Sequence, residues 1–335
     1  MRSSFVYVVV LNWNGSNDTL NCVQSVLALG YESLHILVCD NASLPDEISK
    51  LKTGLQNIAP RNYQHEFFSP LSNRTPQLNI KHSPNGITLL HTGGNLGFAG
   101  GVNVGLRFAL AQGDLDFAWV LNNDTEVDPG ALAAVVDRMK TDPKIGICGS
   151  SLIYHGHREQ VQALGGASYQ PWRARSRALG AFSRTCDIPT NPSIIEARMD
   201  YVVGAAMLVS RRFLETVGLM DESYFLYSEE HDWAHRGQHL GFFLAWAPKS
   251  IVYHKHGATI GTKASGGSQL SLYYLYRNKS LFTARHYKYL LPLALISLAT
   301  EGIKFLLKIE PAKARAVFSG LAAFVSGKTG PSYRR

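Results

Sequence analysis

Cysteine is sparse in this 335-residue chain: Cys22, Cys39, Cys148 and Cys186 are the only four, and none forms a CxxC pair. That spacing excludes a zinc ribbon and a disulfide scaffold. Cys39 and Cys148 sit in apolar runs and read as buried thiols in a reducing compartment. No apolar run reaches the ~20 residues of a membrane span; residues 289–299 come nearest and contain Pro292. This segment is expected to dip into a membrane surface without crossing it. The opening residues lead straight into a strand pattern, with neither the length nor the small-residue cleavage site of a secretory leader, so the expected location is cytoplasmic. Neither GxGxxG nor a Walker lysine occurs at the glycine-rich turn, which argues against a nicotinamide site or a P-loop. Acidic residues are scarce in one region. From Arg277 onward, eleven basic residues face only Glu301 and Glu310, a local charge of +9, so residues 1–276 sum to −1 within a whole-chain +8. A near-neutral body with a basic end argues against a nucleic-acid partner for the main domain.

At 45% hydrophobic and 17% charged, the chain has the composition of a globular protein with a sizeable core. Residues 5–11 (FVYVVVL) and 34–39 (LHILVC) are continuous apolar runs separated by a helical stretch at 18–29. Strands apolar on both faces, alternating with helices, predict a parallel sheet covered on both sides. The alternation continues with strands at 87–91, 117–121 and 145–148 and helices at 100–111 and 129–140, the second with Pro129 in its first turn. Residues 201–210 resume as a strand. The expected fold is α/β, a doubly wound core. Residues 55–86 and 169–199 read as long irregular stretches, and the glycine-rich 257–268 reads as a lid.

In open parallel sheets, ligands bind beyond the carboxyl ends of the strands. Those ends are polar here: Asn12-Trp13-Asn14-Gly15, Asp40-Asn41, the segment from His91 to Gly101, and Asn122-Asn123-Asp124. Asn122 and Asp124 offer an oxygen pair suited to Mg²⁺ or Mn²⁺, or else a polar turn. The glycine-rich segment 93–103 could present backbone amides to a diphosphate, or pack a helix tightly on the sheet. Ser228-Glu229-Glu230-His231-Asp232 begins a helix; capping at Ser228 and the macrodipole account for one acid, not three, and a carboxylate here suits a general base. His254 ends another apolar strand and is a competent ligand for Mn²⁺.

In order, the segments VVVLNWNG, VCDNAS, GGNLGFAGGVNVGLRFAL, WVLNNDTEVDPGAL, YVVGAAMLVSRRFLETVGLMDESYFLYSEEHDWAHR and VYHKHGATIG closely resemble the family 2 inverting glycosyltransferases of the GT-A fold. The nearest branch is similar to bacterial rhamnosyltransferase-like enzymes of surface-polysaccharide synthesis. The resemblance covers roughly residues 5–290 and implies a Rossmann-like, mostly parallel sheet with helices on both faces and a helical C-terminal extension. It implies a catalytic domain over 1–270, with a nucleotide-sugar half over about 1–125 and an acceptor half over about 126–270. Residues 271–335 are then a basic amphipathic helical region. Asn12, Trp13, Asn14, Asp40 and Asn41 would hold the nucleotide's base and ribose. Asn95, Gly97, Phe98 and Asn103 would line the nucleotide site, and Asn122-Asn123-Asp124 would be the DxD-like motif with its first aspartate replaced. Asp124 and His254 would hold Mg²⁺ or Mn²⁺; Glu230 would be the catalytic base, with Glu229 as the alternate. The implied partners are a dTDP- or UDP-sugar donor and a saccharide or polyprenyl-linked acceptor, with an anionic membrane surface and a homo-oligomer as further options. dTDP-rhamnose is the first choice of donor. A UDP-sugar carrying galactofuranose, glucose or N-acetylglucosamine is the alternative, and a non-catalytic nucleotide-sugar-binding protein is the alternative of another class.

Overall fold

The structure, a computed structural model, describes residues 3–67, 85–255 and 268–332. The expected lid lies outside these residues apart from Ser268, and so does most of the second half of the 55–86 stretch. Strands β1 (Val6–Asn12), β2 (Leu34–Asp40), β3 (Tyr63–Phe67), β4 (Gly86–His91) and β5 (Phe117–Asn122) run parallel, in the spatial order β3-β4-β2-β1-β5. Helices α1 (Ser16–Leu27), α2 (Pro45–Ile58) and α3 (Gly97–Gln112) connect them. β3 is an edge strand inside a stretch whose polar sequence reads as irregular. Its alternation is too short and too rich in charge and histidine to stand out.

Beyond β5 the chain forms β6 (Thr125–Val127), α4 (Ala131–Lys140), β7 (Ile145–Tyr154), β8 (His157–Leu164), β9 (Gly166–Gln170), β10 (Arg175–Ala178), α5 (Ser193–Glu196), β11 (Tyr201–Val202) and β12 (Ala206–Ser210). After α6 (Arg211–Val217) and α7 (Glu229–His239), β13 (Phe243–His254) completes the main sheet. Antiparallel β12 sits between β5 and β7, and β13 joins β7 in parallel and β6 antiparallel. The expected strand over 201–210 is thus two strands. Gly204 separates β12 in the main sheet from β11, which pairs with β9 in a small sheet ordered β10-β9-β11. The arginine-bearing β10 within 169–199 belongs to that small sheet.

Two apolar layers cover the main sheet. One packs α1, α2 and α4 residues such as Val23, Leu51 and Val135 against Val8 and Ile36; the other packs α3 and α7 residues such as Val102 and Trp233 against Val9 and Met207. Cys39 and Cys148 are buried free thiols. Gly101 and Gly105, one turn apart on α3, let that helix lie close on the sheet. A Cβ at Gly105 would come within 2.7 Å of Val9 and 2.9 Å of the Cys39 sulfur.

Helices α8 (Gln269–His286), α9 (Leu291–Leu307) and α10 (Pro311–Val325) end the described chain and enclose a third apolar cluster with Tyr169 and Tyr224. The short, proline-broken segment expected at 289–299 is in fact the start of a longer helix. Pro292 falls in its first turn, where the missing N–H has no helical partner to lose. Lys288–Leu307 is long and apolar enough to cross a membrane by length and composition. One side of α9 packs on α8, α10 and residues 171–173, and the other leaves Leu293, Ile296, Ile303 and Leu307 exposed.

Candidate functional site

The ends of β1, β2 and β4 form a closed amide network. Asn12 is fully buried, donating from Nδ2 to Asp40 Oδ1 (2.8 Å) and Ser43 Oγ (3.1 Å) and accepting from Thr19 Oγ1 (2.8 Å). Burial alone would raise the Asp40 carboxyl, but donors from His91, Ser43 and Asn12 outweigh it and hold the group below the usual carboxylate range. Asn14, at φ 53°, receives no strand partner; its N–H donates to Ser43 Oγ and its Oδ1 accepts from Leu44 N–H, each at 2.8 Å. Trp13 between them is half-buried. Asn41 closes the β2 end, donating to Gly97 O (3.0 Å) and Asn95 Oδ1 (3.1 Å) and accepting from Leu96 N–H (2.9 Å).

The rest of the glycine-rich segment makes contacts inside the protein. Gly97 has φ +73°, and a Cβ there would collide with the Phe225 carbonyl, which accepts the Phe98 N–H at 2.6 Å. Asn103 is fully buried with both ends of its amide on the Met220 backbone (2.9 and 3.2 Å). Gly97, Phe98 and Asn103 therefore tie α3 to residues 220–225.

β13 returns beside β6, opposing His254 to Thr125, and so brings His254 Nε2 to 3.1 Å from Asp124 Oδ1 and 3.3 Å from Asn122 Nδ2. The other imidazole nitrogen, Nδ1, meets Gln162 Oε1 at 2.8 Å. Because the Gln162 oxygen can only accept, Nδ1 carries the proton and Nε2 turns to Asp124. Asn123 points elsewhere, donating to Thr19 Oγ1 (3.1 Å) and Gly15 O (3.3 Å). Among the described residues, no three or more His, Cys, Asp or Glu side chains form a group that could hold a metal ion. A one-carboxylate, one-imidazole pair fits a cation that takes its remaining ligands from diphosphate oxygens and water.

A second polar group lies at the start of α7. The loop before it carries three non-glycine residues in the left-handed region, Phe225 (φ 64°), Tyr227 (φ 69°) and Ser228 (φ 72°). Each such residue costs roughly 1–2 kcal/mol, so the loop persists only because its surroundings fix it. Asn278 on α8 donates to the carbonyls of Tyr224 and Leu226, each at 2.6 Å, and fully buried Arg277 donates to Tyr224 O (2.9 Å) and Gly330 O (2.6 Å). Ser228 makes no side-chain cap, contrary to the expectation from sequence, because its left-handed backbone turns the hydroxyl away from the helix N–H groups.

The three acids of this first turn have different surroundings. Asp232 is buried and accepts from His286 Nε2 (2.7 Å), Arg236 Nε (2.8 Å) and Tyr224 Oη (3.2 Å); burial would raise its carboxyl, and these donors bring it below the usual range. Glu229 is buried, and its Oε2 has no hydrogen-bond partner among the described residues; burial and then the Glu230 charge push its carboxyl well up, favouring the neutral acid. Glu230 is half-buried and opens onto a cavity of about 200 Å³, where burial lifts its carboxyl to about 7. The cavity walls include Tyr169, Tyr201, Tyr227, Phe282 and Lys279. Gly204 leaves space beside the base: a Cβ there would lie 3.8 Å from the Glu230 carboxyl carbon. His231 is stacked against Phe282 (3.8 Å between ring centroids) and Tyr201 (4.5 Å), and burial followed by the neighbouring His235 and His286 lowers it to about 3.

Residues 71–196 match the family model described as glycosyl transferase family 2. The match takes in less than half of the chain. The chain is 27% identical over 203 residues to an N-acetylglucosaminyl-diphospho-decaprenol L-rhamnosyltransferase of Mycobacterium tuberculosis, covering 56% of this chain and 64% of that relative. It therefore spans less than two thirds of the relative's length. It is 23% identical over 207 residues to a low-salt glycan biosynthesis hexosyltransferase of Haloferax volcanii, covering 62% of each. In fold it is similar to a mannosyltransferase of Pyrobaculum calidifontis solved with GDP-Man and Mn²⁺, at TM-score 0.55 and 12% identity over 98% of this chain and 89% of that one.

Four side chains of the candidate site escape a reading of its motifs: Gln162, Arg277, Asn278 and Lys279. Gln162 lies on β8, whose polar outer half carries no strand signal, and nothing in its neighbourhood marks it. Arg277-Asn278-Lys279 sits in a helix otherwise rich in aromatic and apolar residues, and that interruption is the signal available.

Proposed function

We propose that this protein is an inverting glycosyltransferase that moves a sugar from a nucleoside diphosphate to a hydroxyl of a saccharide or lipid-linked acceptor, with dTDP-L-rhamnose as the first-choice donor. The observation that carries the reading is Glu230, whose carboxyl burial lifts to about 7, half-buried at a cavity of about 200 Å³ and beside Glu229, whose neutral form burial favours. A general base works best with a pKa near the working pH. In the proposed step, Glu230 takes the proton from an acceptor hydroxyl as that oxygen bonds to the anomeric carbon. The bond from that carbon to the donor diphosphate breaks in the same displacement, and the configuration inverts. Buried neutral Glu229 keeps a second negative charge away from the attacking oxygen.

The network of Asn12, Asp40, Asn41 and Asn95 fixes the strand ends against which the donor's base and ribose are proposed to lie, and fixed polar groups at a reaction centre need no reorganisation as charge moves. Asp124 and His254 are the side chains proposed to hold Mg²⁺ or Mn²⁺, with Gln162 orienting the imidazole. A divalent cation bound there would neutralise the charge that builds on the departing diphosphate. The rhamnosyltransferase relative supports rhamnose and a diphosphate-linked lipid acceptor, and the exposed apolar side of α9 supports a position on the cytoplasmic membrane surface. Because α9 packs along one side against α8, α10 and residues 171–173, we place it on the membrane rather than through it.

The test is transfer, or donor hydrolysis, from dTDP-, UDP- and GDP-sugars with Mg²⁺ or Mn²⁺. Turnover of dTDP-L-rhamnose above the others supports the assignment, and preference for a UDP-sugar moves the donor within the same mechanism. Nucleotide-sugar binding with no turnover on any donor would leave only a binding protein.

A further inference from the structure

We propose that Lys279, supported by the positive potential of exposed Arg175, is the anion-recognising group of the acceptor cavity and takes the phosphate of an acceptor sugar that is joined through phosphate to an apolar chain. The proposal rests on the glycosyltransferase reading of Glu230 and assigns a further wall residue of the same cavity.

Lys279 projects from α8 past the Tyr276 ring (5.5 Å to its centroid) and lines the cavity that Glu230 enters. Its ammonium forms no ion pair within 4 Å among the described residues. Glu301 exerts a field on it but is itself paired with Lys304 at 3.0 Å. Arg175 is near enough to add positive potential and is exposed at the start of β10, while its neighbour Ser176 lines the cavity. A desolvated cation without a counter-ion is costly, and an incoming anion relieves that cost. The structure thus gives one cavity an acidic group that receives a proton and a basic group that attracts an anion. The tyrosines and phenylalanine that line the cavity with them offer faces to a sugar ring, and about 200 Å³ accommodates a single ring rather than a chain of them.

The surroundings favour phosphate over a sugar carboxylate as the anion. Arg173 and Arg177 are exposed on either side of Arg175, a density of positive charge suited to a diphosphate. Next to them, Ser297 on α9 donates to the Arg173 carbonyl at 3.2 Å, and the adjacent Leu293 and Ile296 are 53% and 63% exposed. A sugar in the cavity, its phosphates at Lys279 and Arg175, and its apolar chain along α9 would occupy three features that lie side by side.

The experiment is equilibrium binding without donor, so that turnover plays no part. The probes are a short-chain alkyl diphosphate-linked N-acetylglucosamine, the neutral alkyl glycoside of that sugar, and an alkyl glucuronide. The unaltered protein is expected to bind the diphosphate probe about tenfold or more tighter than the neutral one. Lys279→Met removes that preference without changing dTDP or UDP binding, Lys279→Arg restores part of it, and Arg175→Ala lowers it by a smaller factor. A glucuronide preference that Lys279→Met abolishes would keep the anion site and replace phosphate by carboxylate. Equal binding of charged and neutral probes, no binding of any probe, or a preference untouched by Lys279→Met would overturn the proposal. Should Lys279→Met not fold, Arg175→Glu at the exposed rim carries the test, and an unchanged preference there counts against it. Loss of turnover on every donor with the anion preference intact would overturn the transferase reading alone.

Discussion

The two sides of the site treat polar groups in opposite ways. At the ends of β1, β2 and β4, Asn12, Asp40, Asn41 and their neighbours answer one another's hydrogen bonds, and the buried carboxylate of Asp40 is held ionised by three donors. Across β12, at the start of α7, Glu229 is buried with one unanswered oxygen, Glu230 is lifted to about 7, and Lys279 is lowered to about 8, in each case first by burial. A satisfied network is rigid and holds a ligand in place; groups kept away from their preferred charge state are poised to exchange protons or to bind an opposite charge. The difference assigns positioning to the first side and chemistry to the second. The cost of the second side is met by α8, whose Arg277 and Asn278 hold the strained 225–228 backbone.

The largest effect expected is a contrast between neighbours. Glu230→Gln should lower kcat by about 10³-fold with donor affinity unchanged, whereas Glu229→Gln should leave kcat within about threefold, since burial and the Glu230 charge favour the neutral form of the residue it replaces. Equal losses in both variants would erase the distinction between the two acids. Next in size, Arg277→Leu takes the donor from the Gly330 carbonyl and one of two donors from the Tyr224 carbonyl, which keeps Asn278, and should lower unfolding stability by about 3 kcal/mol. Calorimetry with and without dTDP would show whether nucleotide binding survives, as independence of the two sides requires. Gln162→Leu removes the group that orients His254 and should weaken Mn²⁺ affinity by about tenfold or more, read by titration of the metal alone. An unchanged affinity would take His254 out of the metal pair.

The smallest effect is on acid stability. His231 is lowered to about 3 and His235 to about 4, both first by burial, so the unfolded chain binds protons at pH values where the folded one does not. Their contribution is full above about 6.5, the ordinary histidine value, and is lost as pH falls from there toward 4 and 3. His231→Phe should flatten that part of the Tm-against-pH curve, and an unaltered slope would show that the imidazole is not held neutral.

The two sides also differ in how far a sequence discloses them. Apart from the polar edge strand β3, the parallel strands of the first half are apolar runs such as VYVVVL that end in contiguous polar motifs, so strand and site are read together. The cavity at Glu230 draws Tyr169, Tyr201, Glu230 and Lys279 from four separated segments, and only tertiary packing shows that they share a space. Glu230 is legible because capping and the helix dipole do not explain three acids in one turn. Lys279 is not, because a lysine in a basic tail reads as solvated until the helix carrying it is seen to face inward. The same tail shows how summed charge misleads: of its eleven basic residues, Arg277 is fully buried, Arg285 pairs with Asp221 and Lys313 pairs with Glu310.

The most direct test of the division between a positioning side and a chemical side is the pH dependence of kcat/KM for the acceptor. The account predicts a rise from the acid side with an apparent midpoint near 7, set by the Glu229–Glu230 pair, and a fall on the alkaline side near 8 as Lys279 loses its proton. Glu230→Gln should remove the acid limb and Lys279→Met the alkaline one. A profile that is flat through neutrality, or one whose acid limb survives in Glu230→Gln, would contradict it.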